Sequence, residues 1–215
     1  YEVMRVRRNR MYGHPALVNL LQKAGAELGR TSKLLFGDLS QPRGGPMVSG
    51  HASHQIGLDA DIWFANVSHK KKVSKKLREK MQPASILKRD FVQIDEKKWS
   101  SHYEESLLWF ASQPEVERIF VNVSIKKHLC QKMPTDPRLI KLRAWFSHDD
   151  HFHVRLKCPA DQPNCVGQKP PDSSECDDEK FADWYSPTAL DKMRKPVATP
   201  GYEVAVPFEC KEVLR

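Results

Sequence analysis

Apolar residues recur along this chain with two periods, and the periods separate its elements. From Pro15 to Leu28, Leu17, Leu20, Leu21, Ala24 and Leu28 fall at helical spacing, and Pro15 suits a first turn, so the pattern predicts a helix over 15–28. A second helix is expected over 101–112, with Tyr103, Leu107, Leu108 and Phe110 or Ala111 inward. The period switches to two in Gly57–Phe64, where Leu58, Ala60 and Ile62 alternate with Asp59, Asp61 and Trp63, and again in His151–Leu156. Arg118–Val123 reads as a strand, and Lys33–Phe36 as a short one. Ile125–Cys130 and Pro137–Leu142 read as short helices. Residues 40–50, rich in Gly, Pro and Ser, form a loop, and the lysine-rich stretch up to about residue 90 reads as an exposed excursion. Eight prolines between Pro159 and Pro207 predict an extended strap rather than a second core. The expected division is therefore 1–165 as the main domain and 166–215 as a proline-rich strap on it.

Composition narrows the class. A charge of +8, from 35 basic and 27 acidic residues, directs the chain towards polyanions such as nucleic acid, an anionic membrane face or an acidic polymer. The densest cluster, Lys70-Lys71-Lys72-Val73-Ser74-Lys75-Lys76-Leu77-Arg78, carries no aromatic for base stacking, which argues against nucleic acid. No apolar run approaches the ~20 residues that span a bilayer, so no transmembrane segment is expected. The start at Tyr1-Glu2-Val3-Met4 leads us to expect an export signal absent from this chain. Five cysteines, Cys130, Cys158, Cys165, Cys176 and Cys210, form no C-x-x-C pair and favour an oxidising compartment. Cys158 and Cys165 bracket a turn-rich loop whose ends could meet in a disulfide.

Candidate chemistry concentrates in two segments, Gly50-His51-Ala52-Ser53-His54-Gln55-Ile56-Gly57-Leu58-Asp59-Ala60-Asp61 and Ser147-His148-Asp149-Asp150-His151-Phe152-His153, which hold five of the nine histidines. On a strand, residues two apart share a face, so His151 projects with His153, and Asp59 with Asp61. If the two strands are neighbours, imidazoles and carboxylates converge. Three such ligands suit zinc and leave a fourth position for water. The chain has no H-E-x-x-H, which excludes a helix-borne zincin. Two S-x-x-K strings, Ser85–Lys88 and Ser124–Lys127, lack the S-D-N and K-T-G partners of a penicillin-binding site.

His54 followed seven residues later by Asp61, with a later His151-x-His153, resembles the lysostaphin, D-Ala-D-Ala metallopeptidase and sonic hedgehog group. More narrowly, Arg8–Pro15, Gly50–Gln55, Ile119–Asn122 and His151–Asp161 resemble the penicillin-insensitive murein endopeptidases of Gram-negative bacteria. The resemblance implies an α+β fold with a small antiparallel sheet bearing the ligands, flanked by helices and long loops. It implies Zn2+ on His54, Asp61 and His153, His151 as general base or oxyanion stabiliser, and His51 and His148 lining the site. It also implies cleavage of the D-alanyl–meso-diaminopimelyl cross-link of peptidoglycan in the periplasm. The cysteines fit that reading as Cys158–Cys165 and Cys130–Cys176 pairs, the latter tethering the strap, with Cys210 left over.

Some roles stay open at this level. In the D-Ala-D-Ala dipeptidase branch a carboxylate three residues before the last zinc histidine is the base, and here that position is Asp150. Its parity sets it opposite His153, which favours His151. A carboxypeptidase or L,D-endopeptidase on the same polymer would use the same ligands, with the Gly44-Gly45-Pro46 loop and the 66–100 excursion as groove walls. A zinc-stabilised binding module without turnover, and a basic zinc nuclease, are the readings from other classes. The nuclease lacks the carboxylates of a two-metal site.

Overall fold

A computed structural model describes residues 1–47 and 53–194. Its elements are β1 (Glu2–Val3), α1 (Pro15–Leu28), β2 (Leu35–Phe36), β3 (Asp59–Trp63), α2 (Lys75–Lys80), α3 (Ser101–Ser112), β4 (Val116–Val121), α4 (Val123–Lys132), β5 (Leu142–Ala144), β6 (His151–Leu156), α5 (Asp178–Ala182) and α6 (Pro187–Arg194). The strands form one sheet in the order β1-β2-β3-β6-β4-β5.

The architecture is α+β, but the sheet is mixed rather than antiparallel throughout. β1 pairs parallel to β2, and β4 parallel to β5, while β2, β3, β6 and β4 pair antiparallel. The cause lies in the connections. α1 lies between β1 and β2, and α4 between β4 and β5, and a helical crossover returns the chain in its original direction. The antiparallel centre is the part that carries the histidines and aspartates.

Alternation along the central strands sorts their side chains onto two faces. Ala60, Ile62, Ile119, Val121, Phe152 and Val154 face the core, with Leu17, Leu20, Leu107 and Phe110 of α1 and α3 in the same apolar cluster. Burying each of the larger of these side chains contributes roughly 1.5–3 kcal/mol. The opposite face holds Asp59, Asp61, Trp63, His151, His153 and Arg155. In β3 every residue is buried, so the polar face is enclosed as well.

α1 occupies the expected residues, with its five stripe residues buried and His14 Nδ1 accepting from the Ala16 amide at 3.2 Å. The strand expected to reach Val123 stops at Val121, because Asn122 caps α4 through the Ser124 amide. The lysine-rich excursion is more ordered than expected. Ser74 caps α2, Val73, Ile86 and Leu87 are buried, and Lys70, Lys71, Lys72, Lys75 and Lys76 remain exposed. The strap is not extended throughout either. α5 and α6 bury Phe181, Ala189 and Met193, giving apolar anchors that its proline content concealed. Disulfides join Cys130 to Cys176 and Cys158 to Cys165. Cys210 lies outside the described residues. No described helix is long and apolar enough to cross a membrane.

Lys126 of α4 is fully buried, and its ammonium donates to the Leu142 carbonyl, tying α4 to β5. Burial lowers its pKa from 10.5 to about 8, opposed only in part by Glu175. Between those values the unfolded chain binds a proton that the folded chain has released, so stability should rise with pH across that window. The full shift corresponds to about 3 kcal/mol. Denaturant unfolding should show this rise in the wild type and not in Lys126→Met. Parallel pH profiles for the two proteins would show that Lys126 does not titrate on folding.

Candidate metal centre

β3 and β6 pair in a register that sets Asp61 opposite His153 and Trp63 opposite His151. His54 enters from the segment before β3, fully buried and with a left-handed backbone (φ 60°). Two glycines allow that segment its close packing. A Cβ on Gly57 (φ 73°) would lie 2.9 Å from the His14 amide nitrogen, and one on Gly44 (φ 73°) would lie 2.4 Å from the Gln55 carbonyl oxygen. The glycine loop thus supports the His54 segment.

One oxygen is the centre of the cluster. Asp61 Oδ1 lies 3.2 Å from His54 Nε2, 3.1 Å from His153 Nδ1 and 3.7 Å from His151 Nε2. It is buried, yet accepts no hydrogen bond of acceptable geometry among the described residues. One ligand atom each from His54, Asp61 and His153 lies within 4.8 Å of the others, a group that could hold a metal ion. Two imidazole nitrogens and a carboxylate oxygen are a donor set that fits zinc.

The surrounding bonds orient these donors. His153 Nε2 donates to Asp59 Oδ1 at 2.8 Å, which leaves Nδ1 as the bare nitrogen on the Asp61 side. Asp59 is held in turn by Arg155 Nη1, 3.1 and 3.2 Å from its two oxygens. His151 Nδ1 donates to Asp150 Oδ1 at 2.5 Å, leaving Nε2 to face Asp61. His148 Nδ1 donates to the Phe146 carbonyl at 2.8 Å, and its ring centroid is 4.9 Å from that of His151. Phe120 packs edge-on against His153 at 5.5 Å. The loop before β6 is fixed by Asn122, whose amide and side chain both donate to it, at the His148 and Ser147 carbonyls. The 66–100 excursion braces it too, since Ile86 donates to the Asp149 carbonyl.

Electrostatics follow from this packing. Burial opposes ionisation of Asp61, but His54, His151 and His153 hold its carboxyl well below the usual carboxylate range. Burial likewise opposes Asp59, which His153 and Arg155 keep ionised. Burial lowers the His153 pKa, and its contacts to Asp59 and Asp61 more than reverse this, to about 9 without metal, so a cation bound at Nδ1 would take the place of a proton there. His151 is raised by Asp61 and Asp150 against the same burial. For His148, burial beside His151 and His153 outweighs the Phe146 carbonyl and the Asp61 charge and pushes its pKa down to about 3, so it stays neutral.

Of the residues singled out in the sequence, the structure brings together His54, Asp61, His148, His151 and His153. His51 lies outside the described residues. Asp150 contacts His151, not the His54, Asp61 and His153 group. Neither S-x-x-K serine belongs to the cluster. Ser124 is buried on α4 with its hydroxyl at the Phe91 carbonyl and Tyr185, and Ser85 accepts from the Leu87 amide. Sequence reasoning placed Asp59 on the ligand face without a role and passed over Arg155 and Phe120. Strand parity could have found Arg155, because it lies two residues beyond His153.

A family model described as penicillin-insensitive murein endopeptidase matches residues 1–215. The chain is 38% identical over 218 residues to the penicillin-insensitive murein endopeptidase of Haemophilus influenzae, covering all of this chain and 74% of that protein. It is 36% identical over 219 residues to the protein of the same name from Yersinia enterocolitica, covering 77% of it. For that of Pectobacterium atrosepticum the figures are 35% over 217 residues and 75%.

Proposed function

The chain belongs to the penicillin-insensitive murein endopeptidases, and we propose that it hydrolyses the D-alanyl–meso-diaminopimelyl cross-link of peptidoglycan with zinc held by His54, Asp61 and His153. The observation that carries this reading is the buried convergence of those three donors, with the Asp150-bound His151 beside it. Two disulfides fit an oxidising compartment, and we place the protein in the periplasm.

When bound, zinc supplies Lewis acidity that polarises the amide carbonyl and lowers the pKa of water towards ~7. The protein's own groups do the rest. Asp150 fixes the His151 ring with Nε2 bare, so Nε2 takes the proton of the attacking water and returns it to the leaving amine. Asp59 and Arg155 hold His153 in the tautomer that presents Nδ1. His148, neutral and beside His151, lines the substrate path, and we assign His51 there as well. No serine is acylated in this scheme, so a β-lactam finds nothing to trap.

Mass spectrometry of cross-linked muropeptides digested with and without a chelator tests the reading. Conversion of D,D-linked dimers to monomers only with metal present is the expected result. Intact dimers in both samples would leave a binding module. Release of free D-alanine from pentapeptides, with dimers untouched, would make the protein a carboxypeptidase.

Asp59→Ala separates support from ligation. It removes the carboxylate that orients His153 and should weaken zinc binding about 10–100-fold, in a competition titration against a chromogenic chelator. Unchanged affinity would show that His153 needs no orienting partner.

A further inference from the structure

A cavity of about 260 Å³ opens beside the candidate metal centre, lined among others by Arg5, Arg8, Asp38, Asp61, Trp63, Asp150 and His151. Its floor is the polar face of β3, because Trp63 lies two residues beyond Asp61 and so projects to the same side, roughly 6.5 Å along the strand. The Arg5 guanidinium lies over the Trp63 ring, 5.0 Å from its centroid. The Arg5 amide donates to the Arg78 carbonyl at 2.9 Å, and its side chain donates to Gln82 Oε1.

The arginines of this face differ in one respect. Arg8 and Arg10 bind Asp38 at 2.7 and 3.1 Å, and Arg155 binds Asp59. Farther along, Arg118 and Arg143 lie by Glu117 and Glu175. Arg5 is partly buried and makes no close ion pair among the described residues; Asp38 and Asp150 act on it only at longer range, Asp38 being taken up by Arg8 and Arg10 and Asp150 by His151. A held guanidinium with no carboxylate in contact, on the wall of a cavity that reaches the metal ligands, presents a planar fork suited to an incoming carboxylate.

We propose that Arg5 binds the free carboxylate on the carbon that carries the scissile nitrogen. This rests on the reaction proposed above. In a D-alanyl–meso-diaminopimelyl cross-link the amide nitrogen sits on a carbon that also bears a free carboxylate. That group lies three bonds from the carbonyl carbon, roughly 3–4 Å away. A carbonyl seated at His54, Asp61 and His153 would set that carboxylate at the mouth of the Arg5 cavity, whose lining begins at Asp61 and His151. Arg5 is then a specificity residue, selecting an acid over an amide on the leaving side.

The test uses two D,D-linked muropeptide dimers, one with that carboxylate free and one with it converted to carboxamide. The zinc-loaded wild type should cut the free acid about 10- to 100-fold more efficiently in kcat/KM, as the loss of a charged hydrogen-bonded pair implies. In Arg5→Gln the ratio should fall towards one, with Arg5→Lys intermediate. Calorimetric binding of the two dimers to His151→Ala protein should show the same discrimination without turnover. A wild type that cuts both dimers equally would overturn the role of Arg5 alone. An Arg5→Gln protein that keeps the full ratio would do the same. A wild type that leaves both intact would overturn the proposed reaction and this assignment with it.

Discussion

Replacing His151 by alanine is expected to lower kcat by about 10²–10⁴-fold, the range of a positioned acid–base group, with zinc still bound at about one ion per chain. The expectation follows from two bonds. His151 Nδ1 is committed to Asp150, so the imidazole has one free nitrogen, and that nitrogen lies 3.7 Å from Asp61 Oδ1. This is farther than the His54 and His153 nitrogens at 3.2 and 3.1 Å, which sets His151 beside the ligand group. Asp150→Asn should give a smaller loss, because an amide oxygen can still accept from Nδ1 and Asp61 still raises His151, while the contribution of the Asp150 charge disappears. Metal analysis beside single-turnover kinetics on D,D-linked dimers checks both. Loss of zinc in His151→Ala would make His151 a ligand, and retained turnover would remove it from proton transfer.

The site was legible in the sequence to the extent that strand parity governs it. Asp59 and Asp61, and His151 and His153, are paired by a period of two, and only the pairing of β3 with β6 was needed to bring them together. Parity also put Asp150 off the metal side, but could not show that it would reach the neighbouring imidazole. His54 was less accessible to such reasoning. Its place depends on a left-handed backbone and on two glycines whose neighbours, His14 and Gln55, come from folding. The mixed sheet was missed because direction is set by crossovers, and β1 and β5, with two and three residues, are too short to carry a periodic signal. The helices of the strap were missed for a related reason. Phe181, Ala189 and Met193 are spaced widely among polar residues, so their burial depends on the surface they meet and on the Cys130–Cys176 tether.

The second large effect is expected at Asp61. Asp61→Ala should abolish zinc binding at concentrations that saturate the wild type, a loss well above the ~10–100-fold attached to a supporting residue such as Asp59. Turnover should fall with it by at least about 10³-fold, since a Lewis acid contributes several kcal/mol and each 1.36 kcal/mol is a factor of ten. Asp61 Oδ1 is the atom that His54, His151 and His153 share, and no other described carboxylate faces all three imidazoles. Its removal also withdraws one of the two carboxylates that raise each of His151 and His153, so both imidazoles lose protons at lower pH in the variant. Activity alone would not separate loss of metal from loss of the base, so thermal unfolding with added zinc decides. A ligand that binds only the folded state stabilises it by about 4 kcal/mol at a thousand times its Kd, which raises the wild-type Tm. The Asp61→Ala protein should fold without zinc and show no such rise. If its Tm still climbs with zinc as the wild type's does, the metal is held by other residues, and His54, Asp61 and His153 are a buried charge network instead.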